Sequence, residues 1–333
     1  MMNYVLGIET SCDDTAVAVM NKDLTILSNV LSSQNTFHAK YGGIVPEIAS
    51  RKHLELISFV VKEALDKARI TLDEVSLLAV THGPGLVGSL LIGVDYVKAL
   101  SVATGKPFVG VNHLEGHLLS PLLEHPEIDF PYLGIIVSGG HTLFVLVTDF
   151  GKYRKVAETI DDACGEALDK FGKLLSIPYP AGPIIERLAT GGDPKKYPFT
   201  MPIIRDNLYG LSFSGFKTAA SQIIKNIPLE ALSEKTPDLC ASYQDILFRQ
   251  ILRMTKRILE KHRVTSVAVS GGVSANQTMF EMFTSKLEIP VYFPSKILST
   301  DNAGMIAFAG YHKFIRHGSD PLDMPVLSRL DIG

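Results

Sequence analysis

The amino-acid sequence predicts an α/β protein with mixed sheets, and three observations support this prediction. A strand–turn–strand unit occupies residues 4–20, where two apolar segments flank a polar turn. A second unit of the same plan occupies residues 133–147. After each unit, short apolar strands alternate with helical patterns. Because the unit is repeated, we expect both halves of the chain to be built on strands followed by βα units.

The first half contains two helical patterns and two short buried strands. In chain order these are a helix face with Ile57, Val61, Ala64 and Ala68, the strand Leu77–Val80, the helix from about Val87 to Thr104 and the strand Phe108–Val111.

The second half begins with an irregular segment, and its regular pattern then resumes. Prolines, glycines and short amphipathic pieces fill residues 157–242, which we interpret as a helical insertion. A helix from about Ser242 to Lys261 presents Arg249, Arg253 and Lys256 opposite its apolar face. The remaining elements are the strands Val267–Ser270 and Val291–Phe293 and the helix from about Ala303 to Arg316.

The composition is that of a globular protein. The chain has 333 residues, enough for two lobes, and 46% are hydrophobic. Its net charge of −3 means that any RNA contact needs a local basic patch or a partner. Three cysteines without metal-type spacing suit a reducing cytoplasm. No signal peptide and no apolar run of the ~20 residues that span a bilayer are recognised, so we expect a soluble cytoplasmic protein with no membrane partner.

Two histidines four residues apart, His113 and His117, are the most informative local feature. On a helix these positions share one face, so both imidazoles can bind one metal ion. The zinc-protease motif His-Glu-x-x-His has the same spacing, but here Glu115 stands one residue later than the protease's glutamate. That displacement turns the side chain about 100° around the helix. A structural or incidental pair remains the alternative.

Small and hydroxyl residues stand at three turns, namely the two hairpin tips and Gly271–Gly272. Ser138–Gly140 is the best phosphate-binding candidate, because glycines let the backbone approach an anion while hydroxyl and N–H groups donate to it. Gly271–Gly272 is suited to receive a nucleotide base or ribose edge. The alternative for each is an ordinary tight turn.

Eight segments carry a resemblance to a known family. In chain order they are Gly7–Asp13, Gly42–Glu47, Gly83–Leu86, Asn112–His117, Val137–Thr142, Phe213–Lys217, Gly271–Asn276 and Thr300–Ala303. Taken together, they resemble the bacterial branch of the universal tRNA threonylcarbamoyladenosine transferase family, formerly described as O-sialoglycoprotein endopeptidases. Asp14, Ala181, Phe280 and Ser299 depart from the family pattern.

The resemblance implies the two-lobed actin/hexokinase/Hsp70-like ATPase fold, with duplicated RNase H-like units, a cleft and a helical insertion. The N-terminal lobe would comprise residues 1–111 and about 303–333. The C-terminal lobe would comprise residues 112–302, with the insertion at about 157–242.

The resemblance also implies an acyltransferase. The family transfers a threonylcarbamoyl group from threonylcarbamoyl-adenylate to N6 of adenosine 37, beside the anticodon, in tRNAs that read codons beginning with A. The implied partners are the tRNA anticodon loop, a paralogous bacterial subunit on the N-terminal lobe and a small ATPase subunit.

The implied metal ligands are His113, His117 and Asp301, holding one divalent ion per subunit. Fe(2+) is the first choice and Zn(2+) the second, because two imidazoles and a carboxylate are a common open set for either ion. Asp301 also looks like a helix N-cap, and capping alone is its alternative role.

The family motifs imply an adenylate site as well. Its lining residues would be Ile136, Val137, Ser138, Gly139 and Gly140. Asp169 would hold the ribose hydroxyls, Gly182 and Glu186 would bracket the adenosine, and Asn276 would contact it.

Acyl transfer from this mixed anhydride mainly requires positioning of a weakly nucleophilic amine, because AMP is a good leaving group. We select Asp13 as the catalytic residue that accepts the amine proton or orients the acceptor, in preference to Glu9, because Asp13 stands nearer the predicted hairpin tip. A turn aspartate with only local hydrogen bonds is its alternative role. The face with Arg249, Arg253 and Lys256 is a candidate phosphate track, with simple solvation as the alternative.

Three other functions compete with this one. A zinc metalloendopeptidase explains the histidines but neither the glycine turns nor the position of Glu115. An actin-like ATPase or sugar kinase explains the hairpins but not the metal set. A non-catalytic tRNA-binding scaffold would bind the same RNA without transfer.

Overall fold

A computed structural model of the protein describes residues 2–202 and 210–332, and the chain folds into two compact units. The first unit comprises Met1–Glu127, Asp149–Tyr153 and Pro294–Gly333, and the second comprises Ile128–Thr148 and Arg154–Phe293.

The observed unit boundaries differ from those that the sequence suggests, near residues 111 and 303. Residues 112–127 and 294–302 belong to the first unit. The histidine helix, which begins at residue 113, packs against the last helix of the chain, and both helices belong to the first unit. Within the predicted insertion at 157–242, residues 203–209 lie outside the described residues.

Eleven strands are present in the described residues. They are β1 (Tyr4–Glu9), β2 (Asp14–Asn21), β3 (Ile26–Ser33), β4 (Val75–Gly83), β5 (Phe108–Asn112), β6 (Tyr132–Val137), β7 (Thr142–Asp149), β8 (Lys152–Thr159), β9 (Gly210–Leu211), β10 (Val267–Ser270) and β11 (Val291–Tyr292).

Eleven α-helices connect and cover them within the same part of the chain. They are α1 (Asn35–His38), α2 (Pro46–Ala68), α3 (Val87–Thr104), α4 (His113–Leu119), α5 (Cys164–Leu174), α6 (Gly182–Leu188), α7 (Ser214–Lys225), α8 (Leu229–Leu259), α9 (Gln277–Lys286), α10 (Lys296–Ser299) and α11 (Ala303–His317).

The two units contain sheets with the same strand order. The first sheet runs β3-β2-β1-β4-β5, with an antiparallel β1–β2–β3 meander and with β4 and β5 parallel to β1. The second runs β11-β10-β6-β7-β8-β9, with β7 antiparallel and β10 parallel to β6. Without β9, the second order matches the first strand for strand. The predicted duplication and mixed α/β class are confirmed.

Helices cover both faces of the first sheet. Alternate strand residues such as Leu6 and Ile8 share a core with α2 and α3, whereas Val5 shares the opposite core with α11. Gly7 lets α11 approach β1 very closely, because a Cβ at this position would lie 2.4 Å from the Ala303 carbonyl oxygen and 2.7 Å from the Ala307 nitrogen. This packing holds the start of α11 beside the end of β1.

By length and composition, α3 is the one helix of the described residues that could cross a membrane. It packs against β4 and α2.

Three elements differ from the sequence prediction. The prediction omits β3 and β8, because both carry many polar, partly exposed residues and give no continuous apolar signal. It also begins α8 at about Ser242, whereas this helix begins at Leu229 and continues through Pro237. A proline inside a helix removes one backbone hydrogen bond, so Pro237 favours a helix boundary in a prediction from sequence.

Candidate functional site

The two histidines lie on the first turns of α4, which follows directly from β5. Asn112 caps this helix by accepting a 2.8 Å hydrogen bond from the Leu114 nitrogen. His113 is therefore the first helical residue and His117 lies one turn later, with ring centroids 4.7 Å apart and the rings nearly perpendicular. Both side chains are buried.

Asp301 joins the pair from the segment before α11. Its Oδ1 lies 3.0 Å from His117 Nε2 and 3.7 Å from His113 Nε2. One ligand atom from each of the three residues lies within 4.8 Å of the others. Capping, the alternative role considered for Asp301, is wrong, because Asn302 caps α11 by accepting from the Met305 nitrogen. The Asp301 carboxylate instead contacts the histidines.

Glu9, at the end of β1, orients His113. Its Oε2 lies 2.9 Å from His113 Nδ1 and accepts a 2.6 Å hydrogen bond from Thr81, while Oε1 accepts from the Ser11 nitrogen. With Nδ1 bound to a carboxylate, the Nε2 atom of His113 is the one that can act as a ligand. Sequence reasoning considered Glu9 only as an alternative to Asp13, and its position at the end of a buried strand was the available signal.

The pKa values reflect this pairing. Burial alone would lower the pKa of His113, but the Glu9 and Asp301 carboxylates raise it to about 9. Burial alone would raise the pKa of Glu9, but the charge and hydrogen bond of His113 hold it below its ordinary value. Without a bound cation, the two residues therefore form a buried ion pair.

The donor set of the cluster fits a divalent transition metal. Two imidazoles and one carboxylate leave coordination positions open, and Fe²⁺ and Zn²⁺ both accept such a set. The Glu9–His113 contact is the carboxylate–histidine pairing that accompanies metal-bound imidazoles.

Asp13 lies close to this cluster but is bonded differently. Its carboxyl is buried and hydrogen bonds to the Cys12 thiol and to its own backbone N–H. Burial and the Asp301 charge raise its pKa, while burial and the Asp13 charge raise the pKa of Asp14 to about 7. A raised pKa brings a carboxylate nearer to the range in which it can accept a proton at neutral pH.

The glycine segment Gly83–Leu86 supports the loop that carries Asp13. The Leu86 nitrogen donates to the Ser11 carbonyl oxygen at 2.8 Å, and a Cβ on Gly85 would lie 2.5 Å from the same oxygen. A Cβ on Gly93 would lie 2.3 Å from Thr10 Oγ1. The motif Gly83–Leu86 is visible in the sequence, but its contact with Ser11 is visible only in the fold.

The Glu115 side chain binds Tyr153, a contact that does not suit the general base of a protease. Its Oε1 accepts a 2.7 Å hydrogen bond from the Tyr153 hydroxyl, and burial raises its pKa. A carboxylate engaged in this way is not available as the base of a metalloprotease.

In the second unit, the residues predicted to bind phosphate lie in the turn between β6 and β7. Gly139 and Gly140 are exposed, and no atom lies within 4 Å of a Cβ built on either. The Ser138 Oγ accepts from the His141 nitrogen at 3.1 Å, which closes the turn. Backbone N–H groups at such an open glycine turn can receive an anion.

Ile136 and Val137 belong to the core rather than to this turn. Both side chains are 0% exposed, so any ligand contact from them would come from the backbone. Gly271, with φ +90°, lies against them, because its Cβ would be 2.5 Å from the Val137 carbonyl oxygen. Gly165 supports the turn in the same way from the start of α5, with its nitrogen donating to Ser138.

The other four predicted adenylate residues are linked through α5, α6 and α9. Asp169 accepts a 2.7 Å hydrogen bond from the nitrogen of Ala181, which precedes Gly182. Glu186 accepts a 2.7 Å bond from the nitrogen of Gln277, which follows Asn276.

The Asn276 amide is already engaged in the fold. It caps α9 by accepting from Thr278 and Met279, and it donates to Gln244. Its side chain therefore fixes the start of α9. On α5, burial raises the pKa of the Asp169 carboxyl.

The basic face of α8 is partly neutralised. Arg249 forms a 2.7 Å ion pair with Asp245, and the guanidinium of Arg253 contacts the Met201 sulfur at 3.8 Å.

Comparison of the sequence with known proteins gives a consistent result. Residues 25–308 match the family described as tRNA N6-adenosine threonylcarbamoyltransferase. The protein of that name from Thermodesulfovibrio yellowstonii is 47% identical over 318 residues, which cover 94% of this chain and 95% of that protein. The one from Pelobacter propionicus is 44% identical over 331 residues, which cover 98% of this chain and 97% of that protein.

Solved structures support the fold. Full-length HypF in its phosphate- and nucleotide-bound form aligns with a TM-score of 0.63 at 13% identity, over 96% of this chain and 56% of that chain. Component A of (R)-2-hydroxyglutaryl-CoA dehydratase from Acidaminococcus fermentans aligns with a TM-score of 0.54 at 13% identity, over 93% and 98%. The actin/hexokinase/Hsp70-like fold expected from the motifs is confirmed. Since relatives 47% and 44% identical match nearly its whole length, the chain belongs to the tRNA N6-adenosine threonylcarbamoyltransferase family.

Proposed function

We propose that this protein transfers the threonylcarbamoyl group from threonylcarbamoyl-adenylate to N6 of adenosine 37 in tRNAs that read codons beginning with A. The observation that carries this function is the full-length match to the family together with the His113–His117–Asp301 cluster. The reaction is an acyl transfer: the N6–carbon bond forms, the bond from the carbamoyl carbon to the phosphate oxygen breaks, and AMP leaves. The endopeptidase alternative is disfavoured by the Glu115–Tyr153 hydrogen bond.

In this proposal, His113, His117 and Asp301 hold one divalent ion, with Fe²⁺ as first choice and Zn²⁺ as second. When bound, the ion supplies Lewis acidity that can anchor the threonyl group or polarise the carbamoyl oxygen. Glu9 keeps the Nε2 atom of His113 available by binding Nδ1.

Asp13 is the residue to which we assign the proton of the N6 amine. Its buried carboxyl has a raised pKa and hydrogen bonds to the Cys12 thiol and to its own backbone N–H, which leaves acceptor capacity on a carboxylate with about four lone-pair sites. Glu9 lacks this freedom, because its two oxygens already accept from Ser11, Thr81 and His113.

For the adenylate, we assign the phosphate to the backbone N–H groups of Gly139 and Gly140, while Ser138 closes the turn, with its nitrogen donating to the His141 carbonyl oxygen at 2.8 Å. Asp169 and Glu186 are assigned to the ribose hydroxyls and the adenosine. Gly182 gives the ligand room, since the nearest atom to its built Cβ is 3.8 Å away. Asn276 contributes by fixing the start of α9.

The test is transfer itself. The purified protein, alone and with its candidate partner subunits, is incubated with threonylcarbamoyl-adenylate and unmodified tRNA, and the nucleosides are analysed. We expect modified adenosine with the native protein and with His125→Ala, a surface histidine that serves as control, and none with His113→Ala. Modification by His113→Ala at the native rate would overturn the assignment. Peptide-bond cleavage that is sensitive to chelators would revive the endopeptidase.

Metal identity is tested separately. Purified protein is stripped with a chelator, reloaded with Fe²⁺ or Zn²⁺, and analysed for metal content and transfer. We expect one ion per chain, lost in both His117→Ala and Asp301→Ala, with Fe²⁺ restoring the higher rate. Full transfer by metal-free protein would contradict the metal assignment.

We also propose that a paralogous subunit binds the first unit, while a small ATPase subunit completes the assembly. Large apolar side chains are exposed on α2 and α3, including Leu54 at 66%, Phe59 at 73% and Val87 at 47%. Phe59→Glu should abolish co-purification with the paralogue, whereas Leu229→Glu in the second unit should not. Unchanged co-purification of Phe59→Glu would place the interface elsewhere.

The cytoplasm is the proposed location, supported by three unpaired cysteines that suit a reducing compartment. Recovery of the protein in the membrane or periplasmic fraction of cells would overturn this.

A further inference from the structure

His53, on α2, is a buried histidine to which the proposed reaction assigns no role. Its side chain is 0% exposed, and burial lowers the pKa of the imidazole below its ordinary value, so the ring is neutral at pH 7.5. Both ring nitrogens are paired within the first unit. Nε2 lies 3.0 Å from the Cys12 carbonyl oxygen, and Nδ1 lies 2.7 Å from the Thr15 hydroxyl oxygen.

These two contacts fix the tautomer of the ring. A carbonyl oxygen can only accept a hydrogen bond, so Nε2 carries the proton and donates to Cys12. A neutral imidazole has a single N–H group, which leaves Nδ1 as an acceptor for the Thr15 hydroxyl. His53 is therefore a donor to one neighbour and an acceptor from the other, and reversal of the tautomer would break the contact with Cys12.

The two partners of His53 enclose the acidic pair Asp13–Asp14. Cys12 directly precedes this pair, and Thr15 directly follows it. One ring on α2 therefore holds the backbone before the pair and the side chain after it. The thiol of Cys12, whose carbonyl His53 binds, also hydrogen bonds to the Asp13 carboxyl. A shift of the Cys12 backbone would consequently move that carboxyl.

A purely structural role does not require these polar contacts. Burial of a polar ring costs free energy, and an apolar side chain of similar size would fill the same space without that cost. Neither hydrogen bond of His53 involves His113, His117 or Asp301. Both are directed instead to the segment that carries Asp13, and binding of a metal ion should not depend on them.

We propose that His53 is a positioning residue of the transfer reaction, and that it holds the Asp13 carboxyl in the direction in which it accepts the N6 proton. This inference rests on the proposed function, which assigns that proton to Asp13. Because His53 is buried, it does not contact the reacting atoms and acts through Cys12 and Thr15. Its loss should slow the chemical step, which depends on accurate positioning, while the adenylate and the metal still bind.

Steady-state kinetics with the candidate partner subunits, unmodified tRNA and varied threonylcarbamoyl-adenylate test this role. For His53→Ala we expect kcat to fall roughly 10- to 100-fold, with KM for the adenylate and the metal content unchanged. His53→Gln offers an amide N–H to the Cys12 carbonyl. Its kcat should therefore exceed that of His53→Ala by roughly fivefold, the effect of one retained hydrogen bond. His125→Gln, the same change at a partly exposed histidine of the first unit, is the control.

The tautomer is measured on the native protein. A long-range 1H–15N NMR spectrum of histidine-labelled protein at pH 7.5, assigned by the signal that His53→Gln lacks, should show a neutral ring with its proton on Nε2. Thr15→Val removes the hydroxyl with little change in shape and should lower kcat roughly fivefold at unchanged KM. If circular dichroism melting shows that His53→Ala does not fold, His53→Gln and Thr15→Val, both expected below the native kcat, provide the kinetic test.

The possible failures are distinguishable. Native kcat in His53→Ala, or in both milder variants, would refute the positioning role, as would a proton on Nδ1 of His53. A parallel loss of kcat, metal content and melting temperature, without recovery in His53→Gln, would leave His53 with a structural role alone and also refute the proposal. Native protein that transfers no threonylcarbamoyl group would instead overturn the proposed function and, with it, the role of His53.

Discussion

The carboxylate of Glu9 lies 2.9 Å from Nδ1 of His113, and this contact determines which nitrogen of the ring is available to Asp301 and to a metal ion. The contact joins the end of β1 to the first residue of α4. It therefore ties the geometry of the proposed metal site to the central strand of the first sheet.

Replacement of Glu9 by glutamine tests this relationship. The amide retains the size of the carboxylate but removes its charge and one acceptor, so we expect metal affinity to fall roughly 10- to 100-fold. Metal titration followed by calorimetry measures the loss. Glu63→Gln, an exposed change on α2, is the control, and unchanged metal affinity in Glu9→Gln would show that the contact has no orienting role.

Replacement of Glu115 by glutamine should have little effect on metal content or on transfer. Its side chain binds the Tyr153 hydroxyl, and glutamine can preserve that hydrogen bond. Metal analysis and the transfer assay described above provide the measurement. Loss of transfer with full metal content would mean that Glu115 participates in the chemistry after all.

Replacement of Gly7 by alanine should disrupt the first unit. The new methyl group would lie 2.4 Å from the Ala303 carbonyl oxygen and 2.7 Å from the Ala307 nitrogen, so α11 would have to move. We expect a loss of about 3 kcal/mol in the free energy of unfolding, measured with urea, and reduced metal affinity through displacement of Asp301.

Gly215→Ala is the matched control for this change, because no atom lies within 4 Å of its built Cβ. Native stability of Gly7→Ala would show that α11 can shift without cost.

Acid should weaken the first unit through His312. The pKa of this residue is about 4 when folded and 6.5 in its unperturbed state, so the unfolded chain binds the proton first as the pH falls. Stability is therefore complete above pH 6.5 and is lost as the pH falls from 6.5 towards 4. The full shift corresponds to about 3 kcal/mol, which partial exposure reduces to roughly 1 kcal/mol.

The variant His312→Phe retains the stack that this ring forms on Phe150 and should lose this part of the pH dependence. Urea unfolding at pH 7.5 and pH 5.0 measures it, with His125→Phe as the control. Identical pH dependence in the native protein and His312→Phe would contradict the assignment.

Most of the sheet could be predicted from the sequence, because buried strands give strong local signals. The histidine pair was visible from its spacing, whereas Asp301 was assigned to the cluster only through the family motifs. It did not predict β3 or β8, whose polar residues resemble loop. It also assigned the cap of α11 to Asp301, since aspartate and asparagine are both good caps and only the fold shows that Asn302 takes that role. The orienting role of Glu9 could not be predicted, because its partner, His113, lies 104 residues away in the chain and gives no local signal.

The repeated hairpin has consequences for how such proteins diversify. In one copy the tip between β1 and β2 contains Asp13, next to Asp14, whereas in the other the tip between β6 and β7 contains the exposed glycines Gly139 and Gly140. Equivalent positions of the repeated unit thus carry carboxylates in one copy and uncharged glycines in the other, while the strand order is the same. The residues of the tip can therefore change without a change in the strands that carry it. A chimera with the glycine tip on the first hairpin should keep the strand order of the first sheet while losing the Asp13 carboxylate.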